Sequence, residues 1–173
     1  GIEVQYKSDP LDSSSISILN KTPIANAGAN RDVRVNSLVT LDGNASLDPD
    51  NAPQPLSYAW TKGAGPSITL NNPGTMKPSF TPNSVGSYMF SLIVGDGATN
   101  SDPASVVITV PKLGDIAGDG DVDHNDLNVI LAARNKPASG LNDLRDLDGN
   151  MTIDALDARK LTTLCTRPRC ATQ

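Results

Sequence analysis

Two stretches near the C-terminal end place oxygen donors at matching intervals. They are Asp115 to Asp126, DIAGDGDVDHND, and Asp146 to Asp157, DLDGNMTIDALD. Ca²⁺ is a hard cation that takes about six to eight oxygens, and a loop of about twelve residues supplies them from positions 1, 3, 5, 9 and 12 and from the carbonyl at 7. The first stretch offers Asp115, Asp119, Asp123 and Asp126 at positions 1, 5, 9 and 12, the carbonyl of Asp121 at 7, and Gly120 at the turn of position 6. The second offers Asp146, Asp148, Asn150, Asp154 and Asp157 at 1, 3, 5, 9 and 12, and the carbonyl of Thr152 at 7. Each departs from the pattern once. Ala117 at position 3 of the first has no side-chain oxygen, and Met151 at position 6 of the second stands where a left-handed backbone costs a residue with a Cβ roughly 1 kcal/mol relative to glycine. Two Ca²⁺ sites of unequal affinity are expected.

Something must hold these donors in place. Val122 and Ile153 occupy position 8 of the two stretches, where an apolar residue lets paired calcium loops lie against each other. Leu127, Ile130 and Leu131 follow the first loop, and Leu161 and Leu164 the second, at helical spacing, so each unit reads as loop then helix. No helix precedes the first loop: Ser105 to Val110 reads as a strand and Pro111 ends it.

The phrases GDIAGDGDVDHNDLNVIL and DLDGNMTIDALDARKL, with Asp at position 12 and no entering helix, resemble a type I dockerin over roughly residues 113 to 165. That resemblance implies a calcium-dependent adaptor that plugs a secreted protein into a cohesin-like module. In such adaptors positions 10 and 11 of each loop face the partner, which here implies His124 and Asn125, and Ala155 and Leu156.

From Pro23 to Val110 the pattern is short strands separated by Gly, Pro, Asn and Asp. The clearest are Leu38 to Leu41, Leu56 to Trp60, Ser67 to Leu70, Tyr88 to Val94 and Ser105 to Val110. Tyr88, Phe90, Leu92 and Val94 fall on one face of the fourth, the period of two of a sheet buried on one side. Several such strands at this spacing predict a β-sandwich, with Trp60 as a core anchor rather than an exposed sugar platform. The string IANAGANRDV, LDGNASLDPD, LSYAWT, SYMFSLIVGDG and SVVITV resembles a PKD (polycystic kidney disease) domain. The resemblance implies an immunoglobulin-like fold serving as a spacer or interaction module of secreted and surface proteins. It also implies a candidate third metal site at Asp48, Asp50 and Asp96; the competing reading of Asp48-Pro49-Asp50 is an ordinary turn.

The fold expected is thus an all-β immunoglobulin-like sandwich followed by a small all-α dockerin-like domain with two EF-hand-type calcium loops. The boundaries are a lead-in at 1–22, in which IEVQY alternates like a strand and SDPLDSSS reads as a turn, a sandwich at 23–111, and the calcium unit at 112–173. Only Lys112, Leu113 and Gly114 separate Pro111 from Asp115, too few for a flexible tether, so the two units should touch.

Composition narrows the function. Net charge is −5, but ten of the nineteen acidic residues lie between Asp115 and Asp157, a local acidity that metal loops explain better than a solvating surface. There is no basic patch interleaved with aromatics, which argues against nucleic acid, and no apolar run of membrane-spanning length. Cys165 and Cys170 are the only cysteines; their short spacing favours a disulfide, hence a secreted or cell-surface protein, over two reduced thiols. Opening on Gly1 reads as a segment cut from a longer chain or a residue left by cloning. With one histidine, His124, and one glutamate, Glu3, no nucleophile, base and orienting acid can be assembled, and no enzyme is expected. The sequons at Asn20, Asn44 and Asn150 read as coincidental, Asn150 being a candidate Ca²⁺ ligand. Two readings remain: a monomeric docking module, for instance of a polysaccharide-degrading protein, or a calcium-stapled structural or adhesion tail without a cohesin-like partner.

Overall fold

The computed structural model describes residues 20–50 and 55–171. The expected strand in IEVQY and turn in SDPLDSSS lie outside the described residues.

The alternation of apolar side chains dictates the sandwich. Six strands come first: β1 (Arg31–Asp32), β2 (Val39–Thr40), β3 (Ser57–Lys62), β4 (Ser79–Phe80), β5 (Gly86–Gly95) and β6 (Ala104–Val110). They form a four-stranded sheet in the order β1-β6-β5-β3 and a two-stranded sheet β2-β4. β5 is the central element, antiparallel to both β3 and β6, while β1 runs parallel to β6 at the edge. Tyr88, Phe90, Leu92 and Val94 of β5 are fully buried, whereas Met89 between them is 42% exposed. Phe80 of the smaller sheet meets this face, its ring centroid 4.7 Å from that of Phe90 and 5.7 Å from that of Tyr88. Val33, Leu41, Trp60, Val106 and Ile108 complete the core. Two facing β layers with this alternation make an immunoglobulin-like sandwich. Trp60 is buried in it and has no face left to stack on a sugar.

Tyr88 carries a polar atom into this core and must satisfy it. Its hydroxyl donates to the Ser84 carbonyl at 2.8 Å, tying the start of β5 to the loop before it. Across from it, Gly65 adopts a φ of 101°, and a Cβ there would lie 2.0 Å from the Ser87 carbonyl oxygen. Only glycine fits.

The strand expected at Ser67 to Leu70 is not one. Ile68 and Leu70 are half-buried and Ser67 and Thr69 exposed, so the alternation is real, but the stretch makes no ladder and only Asn71 bridges, to Ser79. Alternation reports one-sided burial; pairing needs a neighbouring edge, and a proline offers no N–H to either side at Pro66 or Pro73.

Beyond β6 a second core gathers Val122, Ile130, Leu147, Ile153 and Leu161. Its elements are α1 (His124–Ala132), β7 (Lys136–Pro137), β8 (Thr152–Ile153) and α2 (Ala155–Leu164). The unit is therefore not wholly helical: β7 and β8 form a short antiparallel ladder. Val122 and Ile153 share the buried core, and their carbonyls bond across the two copies. The Ile153 carbonyl accepts from Asn135 N–H at 2.7 Å, and the Val122 carbonyl accepts from Thr166 N–H at 3.0 Å. These bonds are copies of one another at an offset of 31 residues, the offset between Asp115 and Asp146. Each loop is thus locked to the segment that leaves the other copy's helix. A disulfide joins Cys165 and Cys170 just after α2.

The two cores touch. Arg34, between β1 and β2, donates from Nη2 to the carbonyl oxygens of Asp143 and Asp146. A cleft of about 280 Å³ beside it is walled by Val33, Val35 and Val85 on one side and Leu113, Leu144 and Leu147 on the other. Among the described residues no helix is long and apolar enough to cross a membrane.

Candidate metal centre

The two acidic stretches fold alike because the same short-range bonds form in each. Asp115 accepts from the N–H groups of Gly118 and Gly120, and Asp146 from those of Gly149, Asn150 and Met151. Position 12 is the hub. Asp126 accepts from Ile116, Ala117 and Asp123, and Asp157 from Leu147, Asp148 and Asp154, all through backbone N–H. The position-9 residues Asp123 and Asp154 are the N-caps of α1 and α2, and with Asp126 and Asp157 they form reciprocal capping boxes. The helices are thereby fixed to the loops at their first residue.

Position 6 is left-handed in both copies, φ 92° at Gly120 and φ 68° at Met151, as the spacing predicted. Gly118 and Gly149 at position 4 are left-handed as well, φ 76° and 80°. This second shared signal is legible in the sequence as a glycine pair 31 residues apart.

Charge is the unusual feature. Asp115, Asp123, Asp126, Asp146 and Asp157 are all buried, and none makes an ion pair among the described residues. In the second loop, carboxylate oxygens of Asp146, Asp148 and Asp157 lie within 4.8 Å of one another. Two like charges at that separation repel by about 1 kcal/mol in water and about 3 kcal/mol at an effective dielectric of 20. Backbone N–H donors offset part of this; a divalent cation would offset it all, and an all-oxygen donor set suits Ca²⁺. No comparable group of three forms in the first loop among the described residues. Its position 3 is the exposed Ala117, where the second loop has Asp148. Asp119 bonds the Asp121 N–H and the Asn125 side chain, and Asn150 donates to Asp148. The Thr152 and Asp121 carbonyls complete the set by position; Asp121 also pairs with Arg167 at 2.9 Å.

His124, Asn125, Ala155 and Leu156 are all exposed on the first turns of α1 and α2, and Leu156 is 54% exposed. They occupy equivalent places in the two copies.

The structure also draws Asp48, Asp50 and Asp96 into one neighbourhood on the sandwich. Burial of its carboxyl raises the Asp48 pKa, and the nearby Asp50 and Asp96 carboxylates add to the rise. Its Oδ2 is buried without a hydrogen-bond partner among the described residues. Asp96 moves the other way, to a pKa of about 2, because Thr99 and Ala98 N–H groups and the Asn20 amide donate to it. Asp50 accepts from Lys21 N–H at 2.7 Å. These three are looser than the group of the second loop.

Sequence reading missed Arg34, the buried Asp143 with its Arg145 partner, and Lys160, whose Nζ donates to the Leu147 carbonyl at 2.7 Å. Arg34 and Lys160 have no local pattern, because they bond carbonyls that only the fold brings near. Asp143 is different: its partners Arg145 and Ser139 stand close to it in the chain.

Residues 27–110 match the family model of the K319L-like PKD domain, which supports a PKD domain here. The long isoform of ulvan lyase from Glaciecola sp. (strain KUL10) is 34% identical over 87 residues, 50% of this chain and 8% of that protein. The dyslexia-associated protein KIAA0319-like protein of Mus musculus is 32% identical over 143 residues, 78% of this chain and 12% of that protein. The chain thus spans only about a tenth of the length of these relatives. The solution structure of the PKD domain from KIAA 1837 protein is 32% identical, covering 50% of this chain and 83% of that one, with a TM-score of 0.43.

Proposed function

We propose that this chain is a non-catalytic, extracellular module in which a PKD-type sandwich presents a duplicated Ca²⁺-binding unit for docking to a cohesin-like partner. The observation that carries this is the repetition of one bonding scheme, around buried carboxylates that make no ion pair among the described residues, in two loops each capping a helix. Ca²⁺ supplies the positive charge that draws the loop oxygens together. Asp115, Asp119, Asp123 and Asp126 with the Asp121 carbonyl would hold one ion; Asp146, Asp148, Asn150, Asp154 and Asp157 with the Thr152 carbonyl would hold the other. The second is the tighter site, because it has an oxygen donor at position 3. His124, Asn125, Ala155 and Leu156 form the docking positions, since each lies exposed at a helix start whose geometry the loop sets. The unpartnered Oδ2 of Asp48 beside Asp50 and Asp96 favours a third, weaker site. The disulfide and the PKD domain support a place outside the cell, and the relative named an ulvan lyase supports a setting of polysaccharide degradation.

Calorimetric titration of the chelator-stripped protein with Ca²⁺ tests the reading. Two binding events with a gain of helix are expected, and a third event would belong to Asp48, Asp50 and Asp96. Absence of any event would overturn the metal reading. A panel of cohesin-like modules titrated with and without Ca²⁺ then separates a docking module from a calcium-stapled tail: the tail binds none of them.

A further inference from the structure

Arg34 belongs to the sandwich by sequence and packing. Val33 beside it is buried, and Val33 N–H donates to the Thr109 carbonyl of β6, which fixes the backbone from which Arg34 projects. Its guanidinium nevertheless ends on the other unit, on the carbonyls of Asp143 and Asp146. Asp146 is position 1 of the second loop. Its carboxylate faces inward onto Gly149, Asn150 and Met151, so its carbonyl is free for an outside donor.

The first loop is an internal control. Asp146 N–H bonds the Asp143 carbonyl, and 31 residues earlier Asp115 N–H bonds the Lys112 carbonyl. The local geometry is the same, yet among the described residues no side chain donates to the carbonyl of Lys112 or Asp115. Lys160 reinforces the asymmetry by holding the next carbonyl of the second loop, Leu147, from within its own unit.

We infer that Arg34 is a positioning residue through which the sandwich presets the second loop, and that loop alone, for its cation. This rests on the Ca²⁺ reading above. A charge-assisted bond to a carbonyl holds the loop entrance in its binding geometry, so less ordering is left to be done when the ion arrives.

The sign of the effect discriminates. Simple electrostatics says that removing a positive charge near a cation site tightens binding; the clamp says that it loosens. Asp115→Asn isolates the second loop and Asp146→Asn the first, in the full chain. Adding Arg34→Gln should weaken Ca²⁺ binding about 10-fold in the former, in line with the loss of a charge-assisted hydrogen bond, and leave the latter unchanged. Arg34→Lys should recover part of the loss. Unchanged or tighter binding at the second loop, or equal weakening at both, overturns the clamp. Far-UV circular dichroism, reporting α1 and α2, verifies that the calcium unit of each variant folds, and Trp60 fluorescence that the sandwich does. If the parent chain binds no Ca²⁺, that reading falls by itself, and amide exchange of the metal-free chain tests the clamp: Arg34→Gln should speed exchange at Leu147 to Met151 and not at Ile116 to Gly120. Equal rates in both loops would overturn it.

Discussion

Met151 holds a left-handed conformation with a side chain that is 42% exposed, so it contributes strain and little packing. Met151→Gly should stabilise the second unit by up to about 1 kcal/mol, less the extra freedom glycine gives the unfolded chain. Thermal unfolding in saturating Ca²⁺ measures it, and a lower midpoint would show that Met151 is held by contacts rather than strained. Asp143 makes the opposite case, a buried carboxylate with strong partners. Arg145 holds its pKa well below the ordinary 3.8, and both Ser139 N–H and its hydroxyl add to this. A depressed carboxylate contributes stability that is complete above its unfolded pKa and is lost as pH falls through the folded value. Asp143→Asn should therefore cost about 2 kcal/mol near neutral pH and progressively less below about pH 4. Denaturant titrations of both proteins across that range give the difference directly; a cost independent of pH would assign the effect to packing.

At the scale of elements, β5 and the two loops respond to different losses. Phe90 is fully buried and packs on Phe80 across the sheets, so Phe90→Ala should destabilise the sandwich by about 3–5 kcal/mol, read as a lower denaturation midpoint by Trp60 fluorescence. On the Ca²⁺ reading proposed above, the loops depend on charge neutralisation instead. Replacing Asp115 and Asp146 together should unfold residues 113–171 while the sandwich remains, because metal binding and folding are coupled in so small a unit. Two thermal transitions identical to those of the parent protein would rule this out. Asp126 and Asp157 explain the coupling: each bonds both the loop entrance and the helix N-cap, so loop and helix order together.

At the scale of the whole molecule, the short connection through Lys112, Leu113 and Gly114 and the Arg34 contacts predict one tumbling body. NMR relaxation should give a single correlation time for amides of β5 and α2; two separate times would mean that the units move independently.

What the sequence determined by itself is whatever depends on neighbours along the chain. The alternation of Tyr88 to Val94, the donors of each loop, the left-handed turn at Met151 and the helix starts after Asp123 and Asp154 are all set by spacings of a few residues, because backbone geometry repeats every two or every 3.6 residues. The family model and relatives support the PKD reading of the first part on the same local patterns. Tertiary structure decided the rest. It denied Ser67 to Leu70 a pairing partner, bonded the Val122 and Ile153 carbonyls crosswise to Thr166 and Asn135, and put Arg34 on a loop more than a hundred residues away. Such choices depend on which edges, carbonyls and charges meet after two cores have formed, and no periodicity in the chain encodes a contact between groups that only folding brings within hydrogen-bond reach.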